Sequence, residues 1–123
     1  MKSPRSYLLN ALYDWILDSN CTPYIVFKAD GGGIDVPDGY VEDGRIVLNI
    51  SPVSVRNLSI GESEVTFDGR FGGRAHRVVA PTGRAIAIYA KETGQGMSFE
   101  PEETAPGSDA PKPPAGPKLT RVK

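Results

Sequence analysis

The side chains that could carry out covalent or acid–base chemistry are few in this chain of 123 residues. His76 is the only histidine and Cys21 is the only cysteine. General-base catalysis needs a second group that orients the base, and a thiol nucleophile needs a base to activate it. The sequence offers neither residue such a partner. We therefore interpret His76 as a surface or half-buried strand residue and Cys21 as a small, partly buried apolar one.

No group of histidine, cysteine or acidic residues has the spacing of a metal site. The carboxylates occur mainly in turns and in the C-terminal segment, where a solvated role is the default. Three consecutive glycines, Gly31–Gly33, resemble part of a phosphate-binding loop. However, no Gly-Lys-Ser/Thr motif follows them and no helix pattern begins there. We therefore expect no catalytic residue, no metal and no cofactor.

A strand interrupted by glycines, Val65–Arg74, is the remaining candidate for function. Its apolar residues share one face of a two-residue period. Gly69, Gly72 and Gly73 then fall within five residues. Glycine in a strand marks a bulge or a place where another backbone comes close, as an extended peptide would. The alternative is a strand followed by a loose turn, and the pattern alone leaves both open.

Charge and hydropathy argue against two classes of partner. The formal net charge is -1, so no overall field attracts nucleic acid or an anionic membrane. No apolar run approaches the roughly 20 residues that cross a bilayer. The N-terminus has no signal-peptide pattern, and a single cysteine cannot form an internal disulfide. These features predict a cytoplasmic protein without membrane contact.

An N-terminal helix is predicted over residues 3–19. Ser3 and Pro4 suit its first turn. Its apolar residues cover an arc of roughly 240°, whereas a helix lying on one sheet needs only about 100° or somewhat more. The surplus apolar surface favours an isologous homodimer formed through this helix. A helix sunk deeply in the fold is the alternative.

Short strands separated by turns are predicted up to residue 99. We expect extended segments at 24–29, 34–36, 40–41, 45–50, 65–71, 75–80 and 84–90. A short helix is the alternative for the last of these, and the stretch from 52 to 63 is predicted to be irregular. Asp43-Gly44 predicts a hairpin turn. This pattern indicates a mainly β fold, a small barrel or sandwich with one helix laid against it.

The composition changes after Phe99. Residues 100–117 contain no large apolar residue, so they cannot bury enough surface to offset their ordering entropy. The sequence therefore predicts a folded domain at 1–99, a disordered linker at 100–117 and a short peptide at 118–123. The last five residues regain apolar and basic character, which suits a tethered ligand. A plain solubilising tail is the alternative.

A set of motifs resembles the stringent starvation protein B (SspB) family. The motifs are Tyr7-Leu8-Leu9, Trp15–Asp18, Thr22-Pro23, Gly44–Pro52, Asn57-Leu58, Arg70–Gly73, Ala87–Ala90 and Met97–Pro101. The resemblance extends over residues 3–101 almost without gaps and resumes at the C-terminus. It implies an Sm-like or SH3-like β-fold with an N-terminal dimerisation helix and a disordered C-terminal tail.

The resemblance also implies a bacterial adaptor that is not an enzyme. Members of this family bind the ssrA tag, which tmRNA adds to stalled nascent chains, and they carry tagged proteins to the protease ClpXP. The implied partners are ssrA-tagged polypeptides, the ClpX N-terminal domain, a second copy of the chain and the ribosome. An RNA-binding module is the alternative, because Sm-like folds often bind RNA and arginines follow Phe67, at positions 70, 74, 77 and 84.

Site residues follow from the resemblance by position. The implied tag-binding residues are Asn49, Ile50, Ser51, Phe67, Asp68, Gly69, Arg70, Phe71, Met97 and Phe99. Among them, Met97 and Phe99 are expected to close the groove, and the small Ser51 and Gly69 are expected to let a peptide backbone approach. The implied dimer residues are Leu9, Tyr13, Ile16 and Leu17.

The C-terminal peptide departs from the family pattern Pro-x-Leu-Arg-Val-Val-Lys. The implied ClpX-docking residues are Leu119, Arg121, Val122 and Lys123. Thr120 stands where arginine is common, and Arg121 stands where valine is common, but the two apolar anchors remain. A flexible linker of about 18 residues spans roughly 25 Å, which permits tethering. Two such tails in a dimer would raise the effective concentration at ClpX.

Overall fold

A computed structural model describes residues 3–30, 33–37 and 39–99, and the backbone of residues 118–121. The described part contains one α-helix, eight strands and a 3-10 turn at Thr82–Arg84. The elements are α1 Arg5–Asp18, β1 Pro23–Lys28, β2 Arg45–Asn49, β3 Val55–Ile60, β4 Glu64–Phe71, β5 Arg74–Pro81, β6 Ala85–Ala90, β7 Gln95–Ser98 and β8 Lys118–Arg121.

The strands form two antiparallel sheets. The large sheet has the order β2-β1-β6-β7-β8, and the small sheet has the order β3-β4-β5. One core joins them, because inward-facing residues of both sheets and of α1 belong to the same buried cluster. The prediction of a mainly β fold with one N-terminal helix is confirmed. The two sheets do not close into a barrel.

Helix α1 packs across β6 and β1 of the large sheet and β3 of the small one. Leu9 and Ile16 are its buried apolar residues, and they point into the common core. On the helix margin, the Asn10 side chain donates a hydrogen bond to the Ile60 carbonyl at 3.0 Å. The helix ends before Asn20, whose φ of 59° lies in the left-handed region that terminates helices.

Arg5 joins the start of α1 to the corner between β5 and β6. One guanidinium nitrogen, Nη1, donates to the Ala85 carbonyl at 2.8 Å and to the Gly83 carbonyl at 3.2 Å. The guanidinium also lies 4.8 Å from the ring centre of Phe99, within cation–π range. The charge of this buried arginine is compensated because two main-chain carbonyl oxygens accept hydrogen bonds from it and the face of an aromatic ring lies beside it.

Two hairpins have turns of the same kind. Asp43 and Gly44 have φ of 52° and 73°, and Gly72 and Gly73 have φ of 59° and 84°. Positive φ at both central residues defines the type I′ turn, whose twist matches that of antiparallel strands. The predicted turn at Asp43-Gly44 is confirmed. Gly72 and Gly73 are explained by the turn between β4 and β5, as the alternative interpretation of that stretch expected.

Several strand predictions need correction. The stretch from 52 to 63 is not irregular, since β3 lies within it. Asn57 has a φ of 57° and the register with β4 shifts beside it, so β3 lacks the regular alternation that identifies a strand. Residues 40–41 are not in a strand, and 34–36 contribute only the isolated bridge of Asp35 with Val79. The strand at 84–90 is confirmed as β6.

Strands β7 and β8 were not predicted as strands. Each is only four residues long, and β7 contains Gly96, a residue that weakens strand patterns. The predicted linker at 100–117 lies outside the described residues. Among the helices of the described part, none has the length and apolarity required to cross a membrane.

Candidate functional site

A cavity of about 370 Å³ opens between β2 and the small sheet, and we call it the edge cleft. Strand β2 supplies Val47, Leu48 and Asn49, and β4 supplies Phe67, Gly69, Arg70 and Phe71. Tyr40, Ser54 and Val55 complete the lining.

The edge cleft lies along the side of β2 rather than on one of its faces. Side chains alternate between the two faces of a strand, yet three consecutive residues of β2, Val47–Asn49, all line the cleft. In the described part of the chain, β2 ends the large sheet, and after the bridge of its first residue Arg45 with Glu42 it pairs only with β1. Its other side therefore presents main-chain groups that an added strand can pair with.

Aromatic side chains form the wall opposite β2. The Phe71 ring packs edge-on against Tyr40, with ring centres 5.2 Å apart, and lies 6.2 Å from the His76 ring. His76 is held in turn through Nε2, which lies 2.9 Å from Oδ1 of Asp35. This chain of contacts sets the position of Phe71 at the cleft, which is the structural role found for the single histidine.

Gly69 has a different role from the one expected. A Cβ at Gly69 would lie 3.1 Å from Cε2 of Phe71 and 3.6 Å from Cε2 of Phe67. The space left by the missing side chain is therefore filled by the chain's own aromatic rings. Gly69 lets Phe71 fold over the cleft wall, and a peptide backbone would approach those rings rather than the glycine.

The other predicted residues at the end of β2 shape its turn. Ile50 is fully buried in the core. The Ser51 N–H donates to Oδ1 of Asn49 at 2.9 Å, and the Ser51 hydroxyl lies 3.1 Å from the Ser54 hydroxyl. Ser51 is itself buried and does not line the cleft. These hydrogen bonds hold the chain where it passes from β2 to β3.

Asp68 lies on the face of β4 that points away from the core. Its carboxylate accepts a hydrogen bond from Asn57 Nδ2 at 2.8 Å and another from Arg77 Nη1 at 3.2 Å. The Asn57 hydrogen bond is the main cause that lowers the pKa of Asp68 below its ordinary value of 3.8, and Arg77 adds to it. Asp68 thus links β3, β4 and β5 and does not line the edge cleft.

Met97 and Phe99 are not brought to the edge cleft. Met97 is on β7, which is separated from β2 by β1 and β6 in the large sheet. Met97 packs against the core, and Phe99 belongs to it. Of the ten predicted tag-binding residues, the structure gathers five at the cleft: Asn49, Phe67, Gly69, Arg70 and Phe71.

Five residues that line the cleft were not predicted from the sequence: Tyr40, Val47, Leu48, Ser54 and Val55. Val47 carries a signal that was available, because it is an apolar residue on the strand face opposite Ile46 and Leu48. It is 51% exposed in the structure. Tyr40 precedes a hairpin and gave no periodic signal.

The helix residues expected at a dimer interface are only partly accessible. Leu9 and Ile16 are buried in this chain's own core, so no partner can reach them and that part of the expectation is corrected. Tyr13 and Leu17 are half-buried. The large apolar residues that α1 does expose are Tyr7, at 60%, and Trp15, at 42%.

The arginines of β4 and β5 do not form one stripe. Arg77 is opposite Asp68 and bonded to it, whereas Arg74 is opposite Phe71, one residue from the hairpin turn. Because Asp68 and Phe71 are an odd number of residues apart, these two arginines point to opposite faces of the small sheet. The arginines on which the RNA-binding alternative depends are therefore divided between the two faces of the small sheet.

The described residues contain no group of three or more histidine, cysteine, aspartate or glutamate side chains placed to hold a metal ion. Of the expected ClpX-docking residues, Leu119 and Arg121 lie in β8, whose backbone pairs with β7. Val122 and Lys123 lie outside the described residues. The arrangement at the edge cleft can bind an extended segment through main-chain pairing and apolar contact.

The chain is similar to a known protein family and to a curated protein. The family model described as Stringent starvation protein B matches residues 3–120. A curated protein of Haemophilus influenzae named Stringent starvation protein B homolog is 48% identical over 99 residues. That alignment covers 80% of this chain and 66% of the relative, so the chain matches just under two thirds of the relative's length.

Proposed function

This chain belongs to the stringent starvation protein B family, and on that premise we propose that it is a non-enzymatic adaptor for the bacterial protease ClpXP. It binds ssrA-tagged polypeptides as extended peptides and tethers them to the ClpX N-terminal domain through its C-terminal peptide. It acts in the cytoplasm as a homodimer, and association with the ribosome would place it where tags are added.

The observation that carries this proposal is the position of the edge cleft along the unpaired side of β2. An extended peptide placed there would pair its main chain with β2, which provides affinity without dependence on sequence. Its alternate side chains would contact the aromatic wall around Phe71, which provides selectivity. A volume of about 370 Å³ is near the lower end for small-molecule pockets and suits a few peptide side chains.

Two valines allow a matched test of the edge cleft. Val47 lines the cleft, whereas Val53 is 96% exposed and does not line it. We expect Val47→Glu to weaken binding of a labelled ssrA-tag peptide at least about tenfold, because the carboxylate loses hydration when the peptide covers it. Val53→Glu should leave binding unchanged. Fluorescence anisotropy with purified protein measures both, and circular dichroism verifies that both variants fold.

The same titration separates the alternatives. A scrambled tag peptide should not bind, and single-stranded RNA should bind weakly or not at all at physiological salt. Equal loss of tag binding in the two valine variants, or no loss in either, would remove the edge cleft as the binding site. RNA binding that falls steeply with salt, together with no binding of the tag, would replace the adaptor function by the RNA-binding one.

The tether can be tested separately from the cleft. We expect deletion of residues 119–123 to abolish delivery of a tagged substrate to ClpXP while tag binding stays intact, because the two sites are separate in the chain. Degradation of a tagged fluorescent protein measures delivery, and anisotropy measures the tag. Loss of tag binding in the truncated protein would contradict a two-site adaptor.

A further inference from the structure

The backbone of the C-terminal segment Lys118–Arg121 is already engaged within the chain. It forms β8, which pairs in antiparallel register with β7. We propose that the outer edge of β7 is a second peptide-binding surface, that the chain's own segment Lys118–Arg121 is its occupant, and that this pairing competes with docking of the same segment on ClpX. The competition rests on the proposed function, whereas the strand pairing does not.

Hydrogen-bond direction shows which groups of β7 receive the segment. The Phe99 N–H donates to the Ile86 carbonyl at 2.7 Å, so it points toward β6. N–H groups alternate in direction along an antiparallel strand, so those of Gly96 and Ser98 point to the other side, toward β8. Their register partners are Thr120 and Lys118. Without β8, these main-chain groups would form a bare sheet edge.

The β7 edge is a preformed acceptor because β7 is held tightly from its other side. A Cβ at Gly96 would collide with the carbonyl oxygen of Ile88 and lie 2.5 Å from Cα of Tyr89. Only glycine permits this close approach to β6, so the position of β7 is set by the folded domain. When a strand pairs with this edge, only the incoming segment loses conformational entropy, because β7 is already ordered.

Register and charge are compatible with the pairing. Lys118 is opposite Ser98, and Arg121 is opposite Gln95, so neither cation faces a like charge across the strands. A segment of only four residues gains few main-chain hydrogen bonds and loses the conformational entropy of four residues, two terms of similar size. The contact is therefore close to balance and reversible, as a competing contact must be.

Competition follows from the geometry of the segment. While residues 118–121 are paired as β8, their backbone cannot adopt the same contacts on ClpX. The apparent affinity for ClpX is then reduced by the fraction of tails that are free. A tail that is docked nine times out of ten would bind ClpX about tenfold more weakly than a free one.

A reversible crosslink tests both halves of the proposal on the full chain. Ser98 and Lys118 form a hydrogen-bonded antiparallel pair, for which a Cα separation of about 5.5 Å is typical, and this lies within the range that a disulfide spans. The test variant is S98C/K118C with Cys21→Ser, so that only one pair of thiols is present. The control variant R56C/K118C with Cys21→Ser places the first thiol on β3, at an exposed position of the small sheet.

We expect S98C/K118C to oxidise faster and more completely than R56C/K118C. Equal rates would overturn the pairing of β8 with β7. We further expect the oxidised S98C/K118C protein to bind the ClpX N-terminal domain at least tenfold more weakly than the same protein after reduction. Tag-peptide binding should be the same in both states. Equal ClpX affinity before and after reduction would overturn the competition.

The two failures can be told apart. If reduced S98C/K118C and the wild-type chain both fail to bind ClpX, the tethering function is wrong and the competition falls with it. The oxidation rates still decide whether the β7 edge holds the C-terminal segment. If ClpX binds the reduced chain and oxidation proceeds no faster than in the control, the tethering function is retained and only the pairing of β8 with β7 is overturned.

Discussion

At the scale of single residues, Glu92 holds the chain at the start of β1. Its two carboxylate oxygens each lie 2.7 Å from a donor on Thr22, one from the main-chain N–H and one from the hydroxyl. These contacts join the turn after β6 to the residue immediately before β1. The hydrogen bond from the Thr22 N–H is the main cause that lowers the pKa of Glu92 below its ordinary value of 4.5.

The lowered pKa predicts a pH dependence of stability. The carboxylate is favoured in the folded state, so its contribution is present above pH 4.5 and is lost as the pH falls through the lowered folded value. We expect Glu92→Gln to lower the free energy of unfolding at pH 7, and the difference from wild type to shrink as the pH falls below 4.5. Urea denaturation at several pH values measures it.

Exposed Glu64, at the start of β4, provides the control for this prediction. Its side chain makes no hydrogen bond or ion pair among the residues that the structure describes. Glu64→Gln should therefore change the free energy of unfolding little at any of these pH values. A difference for Glu92→Gln that stays constant from pH 7 to pH 3 would contradict the role assigned to the carboxylate.

At the scale of elements, Arg5 shows how α1 is attached to the strands. At the β5–β6 corner the carbonyl groups of Gly83 and Ala85 point toward the helix, and the Arg5 guanidinium donates a hydrogen bond to each of them. We expect Arg5→Ala to destabilise the fold by about 2 kcal/mol, because the carbonyls lose their donor in a buried place and the aliphatic stem is lost as well. Thermal and urea denaturation measure this.

Arg56 is a matched control on an exposed strand position. Arg56→Ala should change stability by no more than about 0.5 kcal/mol, as surface substitutions usually do. Similar losses in the two variants would mean that the contacts of Arg5 do not stabilise the attachment of α1.

The strands also show why some elements resist prediction. β2 alternates buried and more exposed residues, and β6 alternates alanine with isoleucine in its sequence, so both were predicted as strands. In β3, the left-handed conformation of Asn57 shifts the register, so the apolar residues before and after it no longer share one period. β7 owes its place to the fit of Gly96 against β6, a contact between segments that no local pattern contains.

At the scale of the whole molecule, the surface of α1 bears on the proposed homodimer. Tyr7, Ala11 and Trp15 are exposed and four residues apart, so they form one stripe along the helix. We expect Y7E/W15E to convert a dimer to monomers, because two carboxylates would be buried in an interface without partners. Sedimentation velocity measures the oligomeric state, and circular dichroism verifies the fold.

Val53→Glu places the same charge on an exposed valine outside the helix and should leave the dimer intact. A dimer that persists in Y7E/W15E would place the interface on another surface. Substituting Leu9 or Ile16 would not answer the question, since both are core residues and their loss would unfold the monomer.

The sequence by itself determined the local features of this protein. Apolar periodicity predicted the helix and most of the described strands, and the dipeptide Asp43-Gly44 predicted a hairpin turn. The motifs identified the family, and they named five residues that line the edge cleft. These features are readable because each depends on the dihedral preferences of a few neighbouring residues or on a single short period.

Only the tertiary structure decided how these parts meet. The strand order places Met97 away from β2, with the two strands β1 and β6 between them. Leu9 and Ile16 pack in the core and are not available to a partner. The tertiary structure also placed the ring of Phe71 over Gly69 and paired β8 with β7. The reason is that strand order and side-chain direction depend on how the whole chain buries its apolar surface, and that sum over distant residues is not written in any one segment.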